Sequence, residues 1–143
     1  MAALPVHVPP TATVGLKTKL RIVLEILASY PGLLRVVRSN DLEAMVAQAR
    51  SAATGHGRVR PEDAEGVALR LGIYVQRVLT PIPTDSRCLI KSLVLLQMLS
   101  RRSIDARVVI GARADDGFAA HAWVEHGARA ILPAGRFQRL IEL

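Results

Sequence analysis

The chain of 143 residues has one cysteine, Cys88, and only 3% of its residues are aromatic. A single cysteine cannot close a disulfide within the chain, which fits a reducing compartment. With so few rings, a core has to be built from Leu, Val, Ile and Ala. The basic residues also lack interleaved aromatic platforms on which bases could stack. Long apolar runs are missing too. The segment 20–37 comes nearest to a membrane span, but Arg21, Glu25, Arg35 and the Pro31–Gly32 step interrupt it. A bilayer needs about 20 consecutive apolar residues, so no membrane span is expected. The first residues, MAALPVHVPPTATVG, lack the basic start and long apolar stretch of a secretory signal, and a cytoplasmic location is the expectation. There is no Cys–His cluster at zinc-ligand spacing and no glycine-rich phosphate loop, so neither a metal nor a cofactor is expected.

Half of the residues are apolar, which argues against disorder, and the length suits one domain with one core. Lys and Arg number 19 against 12 Asp and Glu, a formal charge of +7. Such an excess invites a nucleic-acid reading. The cations are scattered in pairs through every segment, however, and a surface that attracts an acidic peptide or a partner protein explains them equally well. Nucleic acid is therefore not the expected partner.

Residues 1–14, with Pro5, Pro9 and Pro10, read as an extended arm, and 15–143 as one domain. Within it, 15–80 is a helical region and 81–143 a second region. Apolar positions at helical spacing predict a helix from Leu16 to Tyr30, ended by Pro31–Gly32, then a turn or two over Leu33–Arg38. Its Leu20–Val37 stretch reads as core, with a membrane surface or a partner as the alternative. Asn40 and Glu43 have capping-box spacing and predict a helix through about Ala52. Pro61–Glu62–Asp63 opens another, running to about Leu79 with Val67, Leu71, Tyr74, Val75 and Val78 on one face. Asp85 or Ser86 caps a third long helix that contains Cys88 and ends near Arg101.

After Ser103 the period changes from 3.6 to 2. Strands are expected over Ala106–Arg113, Phe118–Glu125 and Ala128–Leu132, with a two-residue turn at His126–Gly127 and room for a short C-terminal helix. The fold class is α+β: a helical N-terminal half, then a cysteine-bearing helix packed on a small antiparallel sheet.

Cys88 and His121 are the candidate site. A thiol in the first turn of a helix meets unpaired backbone N–H groups and the positive end of the macrodipole, which favour a thiolate. The same N–H groups can receive an oxyanion as the sulfur attacks a carbonyl. A free cysteine can equally be a small buried hydrophobe. His121 opens the stretch HAWVEH, where His121, Trp123 and Glu125 share one strand face. Its apolar context suits an imidazole that is at least half buried, whereas His7, His56 and His126 look solvated. A nucleophile on a helix and a base on the second strand after it form the minimal kit for covalent acyl transfer.

The block RCLIKSLVLLQMLSRRSIDARVVIGAR, followed by FAAHAWVEHG, resembles the stand-alone leader peptidases of lasso-peptide biosynthesis, small bacterial proteins with a transglutaminase-like (papain-like) core. The shared pattern is a cysteine opening a Leu-rich helix, a basic pair, an A-x-V-x-I-G-x-R strand and H-A-W-V-E, over about residues 85–132. The resemblance implies a cysteine protease that removes the leader from a ribosomally made precursor peptide, with Cys88 as nucleophile and His121 as general base and then acid. It also implies a separate leader-recognition protein and a macrolactam-forming cyclase as partners.

Such enzymes carry a third residue, an aspartate on the strand after the histidine. A His126–Gly127 hairpin would put Leu132 opposite His121, and no acid lies between Ala128 and Gln138. Glu125 is four residues away along the strand, about 13 Å. The third member is left open. The alternatives are another acyl transfer on the same core, a peptide-binding scaffold with an inert Cys88, and a small nucleic-acid-binding protein.

Overall fold

The computed structural model describes residues 15–38, 41–51, 58–81, 87–114, 117, 119–132 and 137–143. Their elements are α1 (Leu16–Val37), α2 (Leu42–Ser51), α3 (Pro61–Leu79), α4 (Arg87–Arg101), β1 (Arg107–Arg113), β2 (Ala119–His126), β3 (Arg129–Ala130) and β4 (Gln138–Glu142). The α+β class expected from the sequence is the class observed. The arm at 1–14 and the cap at Asp85 or Ser86 lie outside the described residues.

The expected break at Pro31–Gly32 does not occur, and α1 runs through it to Val37. Ile22, Ile26, Ser29 and Leu33 form one buried stripe at steps of four, three and four that continues past the proline. Pro31 stands off this stripe on the exposed side, so water can reach the Leu27 carbonyl that it leaves unbonded. An interior proline costs about 3 kcal/mol. Burying Leu33 returns roughly 1.5–3 kcal/mol, and Leu34, Val36 and Val37 add partial burial against the same core, so packing wins. The Leu20–Val37 stretch is core on this stripe only, because Leu20 and Leu24 remain more than half exposed.

The start of α2 falls one residue later than the capping-box reading. Asp41 is the cap: its Oδ1 accepts the Ala44 N–H at 3.1 Å and its carbonyl accepts the Met45 N–H at 3.0 Å. Asn40 lies outside the described residues. α3 begins at Pro61 and ends at Leu79 as expected, with acids in its first turn.

α4 is the centre of the molecule. It packs against α1, α2 and α3 on one side and against β2 and β1 on the other. Ile90, Leu93, Val94, Leu95, Leu96, Met98 and Leu99 are all at most 1% exposed, the pattern of a helix apolar around its circumference and enclosed on every side. Its C-terminal end is tied to α1 by Glu25, whose buried carboxylate accepts from Arg102 at 2.7 Å and Arg101 at 3.3 Å. One polar atom in this region is orphaned: among the described residues, the buried Gln97 Oε1 has no hydrogen-bond donor.

The sheet has the order β3-β2-β1-β4 with antiparallel neighbours. Three details differ from the sequence expectation. The hairpin turn is Gly127–Ala128, since His126 pairs with Arg129 and Glu125 with Ala130. Gly127 has a φ of +60°, so the glycine takes the first central position of the turn, where a positive φ is needed. A turn at His126–Gly127 would have put that strain on a histidine. Second, β3 is only two residues long, so Leu132 does not lie opposite His121. Third, the C-terminal segment is strand rather than helix: β4 adds to the outer edge of β1, and Leu143 and Val108 exchange backbone bonds of 2.8 and 2.9 Å.

No helix is long and apolar enough to cross a membrane, among the described residues.

Candidate active site

Cys88 is the second residue of α4, half-buried and packed against the core cluster. It therefore sits in the first helical turn, where the backbone N–H groups of α4 have no partner within the helix. Its own carbonyl accepts the hydroxyl of the fully buried Ser92 at 2.7 Å, one turn further on. Lys91, also in this end of α4, donates to Thr80 Oγ1 at 2.9 Å and ties the cysteine helix to the end of α3.

His121 lies on β2, which packs directly on α4. The two candidate residues thus stand on contacting elements. The His121 imidazole is half-buried and stacks on two aromatic rings. The Trp123 ring centroid is 5.9 Å away at an interplanar angle of 23°, and the Phe137 centroid is 4.9 Å away at 29°. Stacked rings cover the faces of an imidazole and leave its edge, where both nitrogens lie, to do the polar chemistry. Phe137 carries the Arg113 guanidinium over its own ring at 5.1 Å. Of the one Trp and two Phe in the chain, two therefore surround one histidine.

Backbone register makes the stack possible. His121 pairs with Gly111, and Trp123 with Val109, across β2 and β1. A Cβ on Gly111 would come within 2.9 Å of the Trp123 ring and 2.8 Å of the Gln138 carbonyl oxygen. Glycine is required at 111 because an indole and a neighbouring strand occupy the space of its side chain.

Glu125 shares the His121 face, as the strand periodicity predicts, and is 6% exposed. Its carboxylate is engaged two residues nearer than the histidine: Oε1 accepts the Trp123 Nε1–H at 3.0 Å and Arg139 Nη2 at 2.5 Å. Arg139 also bonds Glu142, which accepts from Arg107 at 3.2 Å as well. The bond from Arg139, followed by that from Arg107, holds the Glu142 carboxyl below the usual carboxylate range. The bond to Glu142, reinforced by Glu125, raises the Arg139 guanidinium further.

His126 is half-buried rather than solvated. Its Nδ1 lies 2.6 Å from the Asp105 carbonyl, which can only accept, so Nδ1 carries the proton. His7, His56, Asp115 and Asp116 lie outside the described residues. Among the described residues, no three His, Cys, Asp or Glu side chains gather into a metal-holding group.

Sequence reasoning named Cys88 and His121 as candidates and gave no part to Phe137 or Arg139. β4 is exposed along its whole length, so FQRLIEL has no in–out alternation to betray a strand. Pairing to β1 alone gives those residues their place.

The comparisons with known proteins bear on the whole of this region. The model for the transglutaminase-like superfamily matches residues 32–141. No curated protein and no solved structure matches the chain.

Proposed function

The chain belongs to the transglutaminase-like superfamily, which includes cysteine proteases and acyl transferases, and from that premise we propose that it is a cysteine peptidase that removes the leader of a lasso-peptide precursor. Cys88 is the nucleophile and His121 the general base and acid. The observation that carries the reading is the packing of the cysteine helix α4 on the histidine strand β2, with the sulfur in the first helical turn. The substrate class rests on the resemblance of RCLIKSLVLLQMLSRR and FAAHAWVEHG to lasso-peptide leader peptidases.

The imidazole of His121 takes the thiol proton, and Sγ forms a bond to the scissile carbonyl carbon. The oxyanion that develops is received by backbone N–H groups at the start of α4. The imidazolium then gives its proton to the leaving amine, the C–N bond breaks, and a thioester remains. Water attacks the thioester carbon with His121 again accepting a proton, the C–S bond breaks, the imidazolium returns the proton to Sγ, and the leader leaves with a free carboxylate. If an amine took the place of water, the same intermediate would make the protein a transferase.

The partners of this reading are the precursor peptide, a separate leader-recognition protein and a macrolactam-forming cyclase, all in the cytoplasm. The excess of cations suits an acidic partner, and such an association weakens as salt rises.

The test is incubation of the full chain with a leader-bearing precursor and its recognition protein, read by mass spectrometry. The expected product is the free leader with a carboxylate end. Cys88→Ala and His121→Ala should each remove cleavage while melting like the parent. Cleavage by Cys88→Ala would overturn the mechanism, and a leader joined to an added amine would select the transferase.

A further inference from the structure

The orientation of the His121 ring decides whether its nitrogens can serve the proposed chemistry. The χ2 angle of histidine is broad, so an imidazole at the end of a strand side chain does not choose one orientation by itself. A base that is misplaced by about 1 Å can cost roughly 100-fold in rate.

We propose that β4 is a brace for His121 and that Phe137, the residue leading into it, is the positioning residue in contact with the imidazole. The inference rests on the pairing of His121 with Cys88 proposed above.

One ring stacked on His121 leads into this strand, and the other is reached from it through Glu125. Phe137 touches the imidazole directly at 4.9 Å between centroids, and Arg113 of β1 lies over its ring at 5.1 Å. Trp123 is held at its indole nitrogen by Glu125, and Glu125 is held by Arg139 of β4. The missing Cβ at Gly111 lets the indole lie across β1 towards the Gln138 carbonyl of β4. Pairing of Ala112 with Gln138 and Gly111 with Arg139 sets β4 alongside the His121–Gly111 pair. A fully exposed edge strand would otherwise be a liability open to pairing with another chain. Its place here is explained by the two side chains, Phe137 and Arg139, that reach back towards one histidine.

The test reads the pairing without any assumption about the natural substrate. The rate of Cys88 alkylation by iodoacetamide is measured at neutral pH in the full-length chain, its His121→Ala variant, Phe137→Leu and Phe137→Tyr. His121→Ala sets the rate without the base. Phe137→Leu keeps apolar volume without a ring and is expected to fall about tenfold towards it, part of the roughly 100-fold that misplacement can cost. Phe137→Tyr should keep the parent rate. The ring protons of His121, displaced by the aromatic ring current, should move in the NMR spectrum of Phe137→Leu and stay in place in Phe137→Tyr. Phe137→Met replaces the leucine variant if the latter does not fold.

A Phe137→Leu protein that alkylates at the parent rate overturns the brace, as do His121 resonances that do not move. A His121→Ala rate equal to the parent rate overturns both the brace and the pairing. Failure to cut a lasso precursor while the alkylation pattern holds would remove the proposed substrate and leave the brace supported.

Discussion

In the helical half, α4 is surrounded by aliphatic side chains from α1, α2 and α3, and each residue contributes area more than a particular direction. On the sheet face carrying His121, the contacts are directional. Two rings stack on an imidazole, an indole N–H meets a carboxylate, and an arginine closes the row. Apolar packing tolerates repacking when volume is kept. A stack or an ion pair is lost when one atom group changes. The first region should therefore govern whether the chain folds, and the second whether His121 is held in one orientation.

Leu99→Ala is the strongest way to break the helical side. Leu99 is 0% exposed on α4, and its truncation should cost about 2–5 kcal/mol in urea unfolding. What survives of the fold should keep the His121 resonances of the parent. If those resonances move as far as they do in Phe137→Leu, the separation drawn here between the two regions is wrong.

Gly111→Ala attacks the other side. The added methyl meets a backbone carbonyl at 2.8 Å as well as the indole, so the strand has to shift and not only the ring. A loss of about 1–3 kcal/mol is expected, the usual range for overpacking. It should be accompanied by displaced Trp123 fluorescence and altered His121 resonances. A stable Gly111→Ala protein with an unchanged spectrum would contradict the close packing of indole on β1.

Gln97→Met sharpens the comparison in the opposite direction. The Gln97 Oε1 has no donor among the described residues and so carries a desolvation penalty, and methionine fills a similar volume. The melting temperature should rise, by the equivalent of about 1 kcal/mol. A fall would mean that the glutamine has a partner in solution.

The smallest effect belongs to the exposed edge. Because bonds from Arg139 and Arg107 hold the Glu142 carboxyl below its ordinary range, folding binds fewer protons there than the unfolded chain does. The stability it contributes is present above the ordinary carboxylate range and disappears as pH falls through the lowered folded value. Glu142→Gln should therefore be slightly less stable than the parent at neutral pH and equal to it in acid. Added salt should shrink the difference, as expected of exposed charges. A difference that grows on acidification would reverse the sign of this argument.

Legibility followed the same division. Pro61–Glu62–Asp63 announced α3, and the change of period after Ser103 announced β1 and β2, because each is a local signal repeated over several residues. Cys88 and His121 were visible as chemistry at an element start and on a strand face. Pro31 misled, since its local cost was outweighed by Leu33 docking elsewhere. The hairpin slipped by a residue because only Gly127 accepts the positive φ of the first turn position. Phe137 and Arg139 carried no periodic signal, and although Arg113 ends a legible strand, nothing in the linear order tied any of the three to His121.

The order of residues alone determined the α+β class, the aliphatic core and the two chemical groups, because helix and strand periods and reactive side chains are properties of neighbouring residues. Tertiary structure decided how the imidazole is surrounded: β4 joined the far edge of β1, Phe137 came against His121, and Arg139 took up Glu125. Those contacts depend on strand pairing between segments far apart in the chain, and pairing energy is spread over backbone bonds that every residue type except proline can make.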